Sequence, residues 1–134
     1  MSYEWVFTYG TLQPGFVNWR ALAPICTDSG PWAGTRVRGT VYYAFDRDSY
    51  PVADFSAEGE IWGTALLVDT SSGNWWAVEQ MELNAWFDRE KVVDLDTGRE
   101  MKAFGVDIHR WFRGSEDPLL VPEGNWAKHT WRPQ

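Results

Sequence analysis

One carboxyl in this sequence combines a reactive group with a setting that would use it. On a helical wheel at roughly 100° per residue, Trp75, Val78, Glu82 and Trp86 fall within about 80° of one another, so Glu82 stands in the middle of an apolar stripe. A carboxylate placed there loses hydration. That disfavours the charged form and raises the pKa toward neutrality, where a general acid/base works best. A shorter or shifted helix would instead turn Glu82 to solvent, and spacing alone leaves both readings open.

Other reactive side chains are less well placed. Asp46, Asp48, Asp54, Glu58 and Glu60 crowd one stretch. Asp46-x-Asp48-x-Tyr50-Pro51 nevertheless lacks the third oxygen ligand and the Gly of a calcium loop, which makes a solvated acidic loop the better reading. His109 and His129 are far apart, with Cys26 the one further soft ligand, so no zinc site is expected. There is no G-x-S-x-G elbow, and Cys26 has no sequence neighbour to activate it.

The elements that must position Glu82 follow from composition and turn residues. Trp5 to Tyr9 alternates aromatic and β-branched residues before Gly10 and reads as a first strand. Thr11 to Gly34 holds Pro14, Gly15, Pro24, Gly30 and Pro31, which predicts a long connection with little regular structure. Arg36 to Phe45 alternates like a half-buried strand. A turn-rich stretch, Asp46 to Gly59, is centred on Tyr50-Pro51. Glu60 to Asp69 is strand-like, with Gly63 marking a bulge or a close backbone approach. Thr70, Ser71 and Ser72 offer caps for a helix through Trp75 to about Trp86. Strands are predicted over Arg89 to Leu95 and Lys102 to Phe112, joined by an Asp96-Thr97-Gly98 turn. Gly114 to Gln134 is rich in Pro, Gly and Trp and is expected to wrap the surface. Five or so strands with one clear helix indicate an α+β or barrel-like domain.

Composition bounds the function class. The 134 residues suit a single domain, 1–134, and are 44% hydrophobic, with ten Trp, seven Phe and five Tyr. Buried packing is the commoner use of so many Trp, ahead of an aromatic ligand platform. A net charge of −7 disfavours the phosphate attraction on which nucleic-acid binders rely. Cys26 is the lone cysteine, which rules out an internal disulfide. The N-terminal residues are too acidic, and their apolar run too short, for a signal peptide. No window reaches the length of a membrane span. A cytoplasmic protein with no nucleic-acid or membrane partner is the expectation.

Four blocks, in order, carry a resemblance. Phe7-Thr8-Tyr9-Gly10-Thr11-Leu12, with Gly15 and Asn18 behind it, resembles the YGTL/YGSL loop that opens γ-glutamylcyclotransferase-like proteins, the class that includes γ-glutamylamine cyclotransferases and plant AIG2-like proteins. Gly39-Thr40-Val41-Tyr42, Tyr50-Pro51 and Glu60-Ile61-Trp62-Gly63 are similar to its second block. Val78-Glu79-Gln80-Met81-Glu82 stands where the family has a Leu-Asp-x-x-Glu helix end, and Arg89 matches the Arg that often starts the next strand. Pro122-Glu123-Gly124-Asn125-Trp126 is similar to the late Pro-x-Gly-Asp-Trp segment.

The resemblance implies an α+β fold, a small mixed β-barrel with one or two helices and a pocket at one end. It implies Glu82 as the catalytic acid/base and Tyr9, Gly10, Thr11, Leu12 and Tyr50 as substrate-binding residues. Gly10 would permit a turn whose successive N–H groups converge on a concavity suited to a carboxylate or oxyanion. The implied reaction is intramolecular aminolysis of a small-molecule γ-glutamyl amide or peptide, releasing 5-oxoproline and an amine without a cofactor. A non-catalytic module binding a small molecule or a protein on the same fold is the alternative. The family's Asp and Gly beside the Glu are Glu79 and Leu83 here. A register using Leu83-Asn84 as the Leu-Asp pair would put Phe87 at the catalytic position; the Glu82 register is preferred because it keeps the step to Arg89. Where members often carry a pocket Tyr in the late strand, this chain has Trp111 and Phe112.

Overall fold

A computed structural model of the protein describes residues 2–27, 32–112 and 118–130. Aromatic and β-branched residues form β1 (Tyr3–Thr8), whose inner half, Val6 to Thr8, is buried. The connection that follows holds a single-turn helix, α1 (Trp19–Leu22), and a 3₁₀ turn at Ala23–Ile25. Strands β2 (Trp32–Arg38), β3 (Thr40–Tyr43), β4 (Pro51–Asp54) and β5 (Glu60–Asp69) come next. The helix α2 (Gly73–Asn84) leads to the hairpin of β6 (Asp88–Val93) and β7 (Glu100–Gly105), followed by the short helices α3 (Ile108–Trp111) and α4 (Trp126–His129).

The main sheet has five strands in the order β2-β5-β1-β7-β6, and β3-β4 form a separate hairpin. Pairing is antiparallel except between β1 and β7, where Val6 lies beside Lys102 in parallel register. The sheet curls into a half-barrel whose edges meet: Leu95 N–H, just past β6, donates to the Arg36 carbonyl on β2 at 2.9 Å. Arg36 also pairs with Asp96 and Glu60. The β3-β4 hairpin covers the open side, hooked to the end of β7 by Val106 N–H donating to Ala53 O at 2.8 Å. Fully buried Phe7, Leu22, Ile61, Leu66, Val37 and Val52 fill the interior.

Several predicted boundaries move for identifiable reasons. The strand expected over Arg36 to Phe45 is two strands, because Gly39 takes φ +147 and turns the chain between β2 and β3. The turn-rich stretch contains β4, which pairs with β3 from Thr40↔Asp54 to Tyr43↔Pro51. The late strand stops at Gly105, where Asp107 caps α3 by accepting from His109 N–H, so Trp111 and Phe112 are helical or beyond. Gly30 and Pro31 of the first connection, and residues 114–117 and 131–134 of the predicted C-terminal wrap, lie outside the described residues. The described part is not a mere wrap: Leu120 bridges Tyr42, and Trp126 is buried. Gly63 is a close approach, since a Cβ there would overlap the Thr8 carbonyl oxygen, while the bulge itself falls opposite, between Ala33 and Thr35.

Candidate active site

The pocket is assembled from the ends of four elements. Ser72 starts α2 by accepting from Asn74 N–H at 3.1 Å, and Trp75 and Val78 bury one face of the helix against the sheet. Glu82 lies on the same face, a turn further on. The helix ends in a Schellman motif: Phe87 N–H donates to Glu82 O and Trp86 N–H to Leu83 O, each at 3.1 Å. The left-handed residue of that motif is Trp86, at φ 71. Trp86 therefore leaves the apolar stripe on which the sequence put it and is 80% exposed, while Phe87, at 6%, turns inward. The helix thus runs past Leu83, where the family has Gly, and stops at a tryptophan instead.

A cavity of about 360 Å³ opens beside this helix end. Glu82, Met81 and Ala85 form one wall, and Phe87 and Tyr50-Pro51 another. The end of β1 and the following turn, Phe7 to Leu12, make the floor together with Phe104 of β7, and Val17 and Asn18 complete the mouth. All six residues singled out from the sequence, Glu82, Tyr9, Gly10, Thr11, Leu12 and Tyr50, therefore line one cavity. Phe87, the alternative to Glu82, lines it too; both registers reach the same pocket, and only the first brings a carboxyl.

The electrostatics single out Glu82. Desolvation raises its pKa from 4.5 to about 7, and no hydrogen bond or ion pair among the described residues offsets that burial. Tyr9 is held well above the usual phenol range by burial first and then by the Glu82 charge; Tyr50 is raised for the same two reasons. Both phenols stay protonated near neutral pH. Tyr9 O–H donates to Phe104 O at 2.6 Å and its oxygen takes a backbone hydrogen bond from Ala53, which together fix its ring as floor.

The turn after β1 lines the same cavity. Gly10 O accepts from Gln13 N–H and Thr11 O from Asn18 N–H, while Asn18 Nδ2 donates to Thr11 Oγ1 at 2.8 Å. The N–H groups of Gly10, Thr11 and Leu12 donate to no group among the described residues. Gly10 is favoured by packing rather than by a left-handed backbone, for a Cβ would stand 2.8 Å from Pro51 Cγ.

The sequence missed Val17, Met81, Phe104 and Thr8. The first belongs to the connection with no periodic signal, and Phe104 reaches the floor only through the parallel β1/β7 pairing. Met81 could have been flagged as the neighbour of Glu82. The late-strand aromatic, Trp111, stands behind the pocket instead, its ring 5.6 Å from Phe87 and 6.3 Å from Tyr50 between centroids. Asp54, expected in a solvated loop, is 8% exposed and accepts from Ser56 and from Ile108 N–H. Cys26 is partly buried, which pushes its thiol up to about 11. His129 pairs with Glu123 on the surface. No helix among the described residues is long and apolar enough to cross a membrane.

Known proteins share this architecture. A uropathogenic E. coli-specific protein is 16% identical, with 96% of this chain and 95% of that chain covered at a TM-score of 0.70. An uncharacterized protein of Pyrococcus horikoshii is 12% identical, with 93% and 91% covered at 0.67. A structure described as a gamma-glutamyl cyclotransferase is 13% identical, with 90% and 73% covered at 0.57. At these identities the likeness is one of fold. No functionally curated protein matches. A family model described as gamma-glutamyl cyclotransferase, AIG2-like, matches residues 6–128, and with that span covered the chain belongs to this family.

Proposed function

We infer that the protein is a cyclotransferase that converts a γ-glutamyl amide into 5-oxoproline and a free amine. The observation that carries this reading is the desolvated Glu82 carboxyl, with its pKa raised to about 7, sharing a cavity with the turn of Gly10, Thr11 and Leu12, whose N–H groups have no partner among the described residues. In the ionised form Glu82 removes a proton from the α-ammonium of the substrate. The freed amine attacks the substrate's own side-chain carbonyl, forming the carbon–nitrogen bond of a five-membered ring. Negative charge develops on the carbonyl oxygen or rests on the α-carboxylate, and backbone donors of the turn are suited to either. Glu82 then returns its proton to the departing nitrogen as the original amide bond breaks, and carries the second proton shed by the ring nitrogen to the released amine, which leaves as an ammonium. Proton and bond counts balance without water or a cofactor, and the protein's main contribution is to hold the folded conformer.

The test is 5-oxoproline release from a panel of γ-glutamyl amides by wild type and Glu82→Gln. Loss of about 10² to 10⁴ in kcat with binding retained is expected for removal of a general acid/base. Activity unaffected by the substitution would sink the mechanism. Phe87 beside Glu82, backed by Tyr50 and Trp111, favours the second reading, a module that holds a ligand without turning it over. Saturable binding of a γ-glutamyl amide with no product would select it.

A further inference from the structure

The turn after β1 is tied to the sheet by a line of buried polar side chains that the proposed proton transfers do not use. Thr8, Gln13 and Thr64 are 3 to 5% exposed. Thr8 Oγ1 donates to Thr64 O at 3.0 Å, Thr64 Oγ1 donates to Gln13 Oε1 at 3.1 Å, and Gln13 Nε2 donates to Gly10 O at 3.4 Å. Thr8 and Thr64 stand opposite each other in the β1/β5 register, where Gly63 lets the two backbones come close.

A buried primary amide loses hydration that its hydrogen bonds must replace, and an apolar side chain of equal length would occupy the space without that cost. What the amide adds is fixed geometry. The backbone bond from Gln13 N–H to Gly10 O, at 3.1 Å, closes the turn on itself, and the bond from Asn18 Nδ2 to Thr11 Oγ1 stays within the same connection. The bond from Thr64 leaves the connection, reaching across 51 positions to β5. The Gly10 carbonyl and the Thr11 N–H belong to one planar trans peptide and so point in opposite directions. Holding the carbonyl toward Gln13 therefore sets the aim of the Thr11 N–H. Gly10 and Thr11 line the cavity, and Gln13 is buried behind them.

Resting on the cyclotransferase reading, we propose that Gln13 is a positioning residue for the reaction, its carboxamide, clamped by Thr64, tying the Gly10–Thr11 peptide to β5 so that the N–H groups of the turn keep a fixed aim. Gln13 acts through the turn and touches no substrate.

Two variants of nearly unchanged shape test this. Gln13→Met keeps the length of the side chain and loses the amide; Thr64→Val loses the hydroxyl at the other end of the tie. With every variant folded by circular dichroism, kcat/KM for 5-oxoproline release from the best γ-glutamyl amide of the panel should fall at least about tenfold in Gln13→Met, since a misplacement of about 1 Å can cost on the order of 10²-fold. The rise of kcat/KM with pH should keep its midpoint. The double variant should lose no more than the larger single loss, because both substitutions cut one tie. A loss of less than about threefold, or a moved midpoint showing that the surroundings of Glu82 have changed instead, would overturn the proposal. Should Gln13→Met fail to fold, Thr64→Val carries the same expectations. Nitrogen-15 relaxation reads the tie without turnover: Thr11 and Leu12 amide order parameters of about 0.85 should drop below about 0.6 in the variants, with β1 and β5 unchanged. Unchanged order at the turn rejects the proposal. Absence of 5-oxoproline from wild type with every amide overturns the cyclisation reading instead, and the order parameters alone then decide whether Gln13 sets the turn.

Discussion

At the scale of the residue, the Glu82 carboxyl should be visible in stability as well as in rate. Its folded-state pKa of about 7 lies above its ordinary value of 4.5. Below about pH 4.5 the group is neutral in both folded and unfolded chains. As pH rises toward 7 the unfolded chain releases this proton first, so folding loses stability, and the loss is complete above the folded pKa. Glu82→Gln should therefore be the more stable protein at pH 8, by on the order of 2 to 3 kcal/mol, with the difference vanishing below pH 5. Urea unfolding at both pH values measures it, and a difference independent of pH would mean that the carboxyl is not desolvated. On the proposed mechanism, in which Glu82 must be ionised to act as base, the same titration predicts that wild-type kcat/KM rises through about pH 7. Helical spacing drew attention to Glu82 without deciding between burial and solvent, the ordered family blocks favoured the buried reading, and the Tyr9 to Leu12 block pointed to the turn that lines the same cavity. Val17 was not legible, because it sits in a connection built of successive backbone turns, such as Trp19 N–H to Phe16 O and Asn18 N–H to Thr11 O, which leave no hydrophobic period to read.

At the scale of the element, α2 ends at a cost. A bulky residue in the left-handed region is strained by roughly 1 to 2 kcal/mol, and Trp86, mostly exposed, recovers little of that through packing. Trp86→Gly should stabilise the protein by about 1 kcal/mol, the greater freedom of glycine in the unfolded chain offsetting part of the gain. A raised urea midpoint with unchanged slope is the expected result; a lowered midpoint would show that the indole is anchored. The sequence marked β5 to the residue, because Glu60 to Asp69 is apolar, β-branched and bounded by Gly59 and Thr70. It missed β4 because Pro51 and Asp54, poor strand formers, bracket only Val52 and Ala53, and pairing with β3 outweighs their propensity. It overran β7 because a run of apolar residues has the same composition whether extended or turned into α3 by the Asp107 cap.

For the whole molecule, closure depends on few contacts. The sheet's outer strands meet through the Leu95 to Arg36 hydrogen bond and the Arg36 bridges to Glu60 and Asp96, which raise the guanidinium pKa further above its usual value. Arg36→Ala should lower the melting temperature by a few degrees and speed exchange of the Leu95 amide. The temperature effect should shrink in 1 M salt, where charges are screened within about 3 Å. Curvature of this kind was implied by the family resemblance and by the strand count, but not which strands would meet, since that depends on the parallel β1/β7 pairing. The division between a closed floor and a water-facing mouth has a consequence over evolutionary time. Substitutions at exposed Val17 and Met81 leave the interior nearly untouched and are close to neutral for folding. A lineage carrying this barrel can therefore vary the rim of its cavity through a succession of folded intermediates, and a library randomised at those two positions alone should consist mostly of folded proteins.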